Sequence, residues 1–128
     1  MDSRLRPAIL FAALLLVASL VPVPESGAQQ VPALFGLALD KWVHAGSYGL
    51  LTGLLVWGHE RRTVVAVGAL AVLAIAYGGG IELLQWAVPS RDISGLDFLA
   101  NAVGAVLAGV VWAVLGDVTP LAWRPSEQ

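Results

Sequence analysis

The chain is 128 residues long, 58% hydrophobic and only 12% charged, with a mean hydropathy of +0.79 and no cysteine. Soluble domains carry about 25% charged residues, so this chain has roughly half the usual share. Seven Lys+Arg against nine Asp+Glu, a net charge of -2, exclude an electrostatic nucleic-acid binder, and the lack of cysteine excludes disulfide frameworks, thiolate metal sites and cysteine nucleophiles.

Residues 7–24, 42–58, 63–81 and 98–116 contain no Asp, Glu, Lys or Arg. Each stretch is close to the roughly 20 residues an α-helix needs to cross a bilayer core. The pattern predicts an all-α membrane protein, a four-helix transmembrane bundle of one domain, with spans at about 7–23, 41–58, 63–87 and 95–116. The first span is an Ala/Leu/Val stretch stopped by Pro22 and Pro24, which remove donors and bias the residues before them away from helix. The second follows Asp40-Lys41, the third follows Arg61-Arg62 and stops at Pro89, and the fourth follows Ser94 and ends before Asp117. The loops between them are short, the longest being a cap-sized connection at 24–39.

With four spans, Arg4, Arg6, Arg61, Arg62 and Arg124 share one side, and only Lys41 and Arg91 lie on the other. Basic residues favour the cytoplasmic side, so both termini are expected in the cytoplasm of a multi-pass plasma-membrane protein. Trp42, Trp57, Trp86 and Trp112 fall near span ends, where indole prefers the headgroup region. A rival reading takes Arg4, Arg6, the first apolar stretch and Ser26-Gly27-Ala28 as a secretory signal cleaved after Ala28, leaving three spans.

Apolar spans need no polar residues to fold, so those present carry information. Span two contributes Asp40, Lys41, His44, Ser47 and Tyr48, on one stripe by their spacings. Span three contributes Glu82 and Gln85, an i,i+3 pair. Span four contributes Asp97 and Asn101, an i,i+4 pair, with Arg91 just before it. At about 1.5 Å per residue, His44, Gln85 and Asp97 lie roughly 4–6 Å inside the outer helix ends, and Tyr48, Glu82 and Asn101 roughly 10–12 Å inside. Three helices thus bring polar groups to two matching depths on the outer side. Gly49, Gly53, the glycines at 78–80, and Gly104 with Ala108 permit close backbone approach, which turns the polar face into the bundle.

Each residue also has a bland role. Asp40 fits an N-cap of span two, and Ser94 with Asp97 three residues on fits a capping box. Lys41 and Arg91 fit headgroup anchors, and Asn101 and Gln85 fit interhelical hydrogen bonds averaging about 0.6 kcal/mol. Glu82 is hardest to explain this way, because an acidic group within a span costs about 2.5 kcal/mol or more and persists when paired or functional. His44 is the lone histidine of the cluster, a weak metal signal, and no metal or cofactor is expected.

The ordered blocks Asp40-Lys41-x-x-His44-x-x-x-Tyr48-Gly-Leu, Gly80-Ile-Glu82-Leu-Leu-Gln85 with Pro89-x-Arg91, and Asp97-x-x-x-Asn101-x-x-Gly104 resemble those of the VanZ-like family of small membrane proteins. The resemblance covers about residues 31–110. It implies a four-helix membrane protein linked, in the name-giving member, to reduced sensitivity to the glycopeptide teicoplanin, and it implies no known reaction. A housekeeping role at the cell envelope is equally compatible with it.

The residues then suggest an outward-facing site that binds or modifies a lipid-linked envelope precursor or a phospholipid headgroup. Its candidate acid–base groups are His44, Glu82 and Asp97, and its candidate binding groups are Asp40, Lys41, Tyr48, Gln85, Arg91 and Asn101. Two alternatives stay open. One is a non-enzymatic accessory subunit with a structural polar cluster. The other is an ion-coupled carrier that would need a homo-oligomer, because four spans without inverted repeats do not make a complete pathway.

Overall fold

In the computed structural model, which describes residues 2–22, 32–60, 62–89 and 93–116, a short turn (Ser3–Leu5) leads into α1 (Arg6–Leu20). A two-stranded hairpin of β1 (Ala33–Leu34) and β2 (Leu37–Ala38) leads into α2 (Leu39–Gly58), followed by α3 (Val64–Gln85) and α4 (Gly95–Leu115). Successive helices run antiparallel. At one end Gln85 reaches Ser19, Lys41 meets Asp97, and Ser94 meets Glu82. At the other end Gly58 lies against Arg4 and Leu5, and the Arg62 guanidinium sits 5.3 Å from the centre of the Trp112 ring.

Three of the helical segments, Ser3–Leu20, Val64–Gln85 and Gly95–Leu115, are long and apolar enough to cross a membrane. Their outward faces are Leu and Val, among them Leu10, Leu14, Val72, Leu83 and Val114, all exposed. Apolar character on every face suits a helix whose outer surroundings are lipid. With 20 residues, α2 has the same reach of about 30 Å, but its first half carries Asp40, Lys41, His44, Ser47 and Tyr48 and is correspondingly less apolar.

Local chemistry sets the helix ends. Val21 is already extended because Pro22 follows it, so α1 stops at Leu20, short of the expected 23. Thr63 caps α3 by accepting from the Ala66 N–H at 3.1 Å, and α3 ends at Gln85, two residues before the expected 87. Ser94 caps α4, its hydroxyl accepting from the Asp97 N–H at 3.2 Å. The expectation that Asp40 caps α2 is corrected. The N-cap is Ala38, which makes no side-chain bond, and Asp40 sits within the first turn, where a carboxylate complements the helix dipole.

The interior is built from small residues, with Ala74 and Ala105 buried beside Tyr48 and Leu51, and Ala71 buried opposite Gly109. Helices α2 and α4 make the closest seam. A Cβ placed on Gly104 would stand 1.9 Å from the Ala45 carbonyl oxygen, so this crossing exists only because residue 104 has no side chain. Van der Waals contact at such small-residue seams is a main source of helix association where no water is displaced.

The hairpin turns on Phe35 (φ 52) and Gly36 (φ 75), both positive as in a type I′ turn, with Leu34 paired to Leu37 and Ala33 to Ala38. Such turns favour Asn-Gly, and a left-handed backbone costs an L-residue such as Phe roughly 1–2 kcal/mol. The hairpin folds onto the start of α2. The Leu39 N–H donates to the Pro32 carbonyl at 2.8 Å, and the Trp42 indole N–H donates to the Leu34 carbonyl at 3.1 Å.

Candidate functional site

The cluster is assembled from the first half of α2, the last turn of α3 and the first two turns of α4, all at the hairpin end. Lys41 is its cationic centre. Its ammonium donates to Asp40 Oδ2 at 2.7 Å and to Asp97 Oδ1, so one charge from α2 is held between a carboxylate of its own helix and one of α4. Asp40 is the exposed member of this pair of carboxylates.

His44 lies one turn deeper and is partly buried between two α4 side chains. Nδ1 is 2.9 Å from Asn101 Oδ1, and Nε2 is 3.5 Å from Asp97 Oδ2. With the Asn101 oxygen accepting, the imidazole proton is on Nδ1. Nε2 is then a lone pair in the neutral ring and an N–H facing a carboxylate in the protonated one. Both ring nitrogens therefore face α4 side chains, Nδ1 toward Asn101 and Nε2 toward the Asp97 carboxylate. Asn101 is 1% exposed and can set the tautomer because it cannot turn to solvent.

Glu82 is 4% exposed, and its Oε2 accepts from the Ser94 backbone N–H at 3.3 Å. This changes the capping-box expectation. In such a box the residue three after the cap accepts the cap's own N–H. Here Glu82 of α3 takes that N–H, Ser94 still caps through its hydroxyl, and the Asp97 carboxylate is left for Lys41 and His44. One backbone donor thereby ties the end of α3 to the start of α4.

The remaining expected site residues fall in three places. Tyr48 is buried in the apolar core with Leu51, Ala74 and Ala105, forming a floor beneath the cluster. Gln85 is buried but faces α1, where its amide donates to the Ser19 carbonyl at 3.0 Å. Arg91 lies outside the described residues. The structure thus brings together Asp40, Lys41, His44, Asp97 and Asn101, with Glu82 joined through Ser94, and it separates Gln85 from them. Among the described residues, no three of His, Cys, Asp and Glu converge as a metal-binding group.

Two contributors carried no clear signal in the sequence. Gly78 makes the floor possible, since a Cβ there would stand 2.8 Å from the Tyr48 ring and 3.1 Å from the Asn101 amide nitrogen. Among three consecutive glycines, spacing alone does not single it out. The Ser94 N–H is a backbone group with no signature of its own. No family model, curated protein or solved structure matches the chain.

Proposed function

We propose that this is a four-span plasma-membrane protein, both termini cytoplasmic, whose polar cluster is an outward-facing site for the headgroup of a phospholipid or lipid-linked envelope precursor. The antiparallel course of α2 between α1 and α3 supports a fourth crossing, because both neighbours are long and apolar enough to cross a membrane. The observation that carries the site reading is the convergence of Lys41, His44, Asp97 and Asn101 from two helices at one end of the bundle, beside the buried Glu82. Burying so many polar groups at a membrane helix end costs free energy, and they persist when paired or functional.

The charges favour one kind of headgroup. Among the described residues, Lys41 is already shared by two carboxylates, and Asp40, Asp97 and Glu82 give the cluster more acid than base. An amine or hydroxyl donor on the headgroup suits it better than a bare phosphate, and His44 supplies the acid–base group should the bound molecule be modified. The resemblance to VanZ-like proteins points the same way, toward envelope lipids and an effect on glycopeptide sensitivity. A second reading rests on the same bonds: each of these polar groups has a protein partner, as in a network that only fixes helix register.

Native mass spectrometry of gently extracted protein separates the two. A defined lipid or precursor held by wild type and lost from folded Glu82→Gln and Asn101→Ala is the expected result. No retained lipid on wild type, with both variants merely less stable, would leave the register network as the role of the cluster.

A further inference from the structure

The hairpin at 32–39 takes no part in the polar cluster, yet its sequence, Pro-Ala-Leu-Phe-Gly-Leu-Ala-Leu, has no polar side chain at all. Its tip is built at a cost. Phe35 holds a positive φ that glycine or asparagine adopts more easily, and its ring is 89% exposed. Leu34 and Leu37 beside it and Leu39 and Trp42 below it are also exposed. A strained turn that presents an aromatic ring outward is poorly explained by folding within the chain.

The exposed surface is continuous with the outer face of α2, which faces lipid if α2 makes the proposed fourth crossing. Leu39, Val43, Gly46 and Leu50 follow one another at helical spacing on the outside of α2, all exposed, and the hairpin stands at the head of this stripe. Trp42 is at the junction. Its ring meets Phe35 edge-on, centroids 6.4 Å apart at 68°, and its N–H is taken by the Leu34 carbonyl. Aromatic rings at this level are the usual occupants of the membrane–water interface. The hairpin's few backbone pairs leave other polar groups that need water, which suits the interface and excludes the hydrocarbon core.

We propose that the hairpin is an interfacial membrane anchor, with Phe35 as the inserted residue and Leu34 and Leu37 flanking it in the headgroup–acyl boundary. The partner is the lipid surface itself. The inference rests on the proposed crossing of α2 and is independent of any ligand at the polar cluster.

Because the chain has no native cysteine, a single Leu37→Cys substitution accepts one environment-sensitive fluorophore in the full-length protein. The labelled protein is placed in phosphatidylcholine vesicles. The expected result is loss of fluorescence to lipids carrying a nitroxide near the headgroup, with little loss to aqueous iodide. Adding Phe35→Asn keeps a residue suited to the left-handed turn, and it should shift quenching from lipid to iodide while leaving the helical content unchanged. Full iodide quenching of the parent protein would place the hairpin in water and overturn the proposal. Shielding from both quenchers, with energy transfer that rises with protein-to-lipid ratio, would put a second copy over it and also overturn it. Lipid quenching unchanged by Phe35→Asn would remove Phe35 as the anchor.

Discussion

Helices α1 and α4 flank the same α2–α3 pair but are attached by different means. On the α4 side a glycine backbone rests on a carbonyl, and Lys41–Asp97 and His44–Asn101 cross the seam. On the α1 side only Ala8 is buried among the described residues of that helix, and an apolar cavity of about 170 Å³ opens between Ala8, Ala12, Leu51, Leu55 and Tyr77. Among the described residues, hydrogen bonds from Tyr77 and Gln85 to α1 backbone carbonyls span that looser contact. The comparison teaches that the polar residues of this chain do two jobs. On one side they are partners of each other, and on the other they hold a neighbour's backbone.

The largest test of the comparison is Gly104→Ala. The new methyl would overlap the Ala45 carbonyl, which is backbone and cannot rotate aside, so α2 and α4 must separate. Overpacking of this kind costs about 1–3 kcal/mol, and the severity of the overlap puts the expectation near 3 kcal/mol. A dodecyl sulfate titration in mixed micelles reads the loss. Stability near wild type would show that the seam is not held by this contact.

Next comes the ion pair across the seam. Lys41→Met leaves Asp97 with His44 as its remaining partner among those described, and should cost about 2 kcal/mol, below the 3–5 expected of a wholly buried pair because both side chains keep some exposure. In a double-mutant cycle with Asp97→Leu, the coupling should fall in the range of about 0.5–3 kcal/mol found for residues in contact. Additive losses would mean that the two charges act separately and that the cluster does not bind α4 to α2.

The spacing of apolar and polar residues made the helices and their antiparallel order legible, because a helix places every third and fourth residue on one face whatever it packs against. That polar residues of α2 and α4 gather at one end was within reach of that argument, but the His44–Asn101 contact joins the two expected depths and was not. Nor was Gln85. Its i,i+3 spacing from Glu82 puts both on one side of α3, but the sequence does not say that this side divides between α4 and α1. The Asp97 role was obscured for a related reason. Ser94 and Asp97 read as a closed local pair, and only the approach of Glu82 to the Ser94 N–H shows that the pair is open. The 24–39 connection reads as a plain loop because Phe35 stands where a type I′ turn usually places Asn or Asp before its glycine.

The smallest effects belong to the α1 side, and there the two hydrogen bonds should differ. Ala12 lies mid-helix, so Tyr77 donates to a carbonyl that already has its place in the helix ladder. Ser19 lies in the last turn of α1, where carbonyls lack a partner within the helix, so Gln85 serves as a cap supplied by a neighbour. Tyr77→Phe should therefore cost about 0.6 kcal/mol, the mean for interhelical hydrogen bonds in membranes, and Gln85→Leu about twice that. The same titration reads both. A Gln85→Leu variant of unchanged stability that loses a bound lipid in native mass spectrometry would return Gln85 to the binding site. A loss of stability with lipid retained would keep it as the clasp on α1, and would confine the site to the seam between α2 and α4.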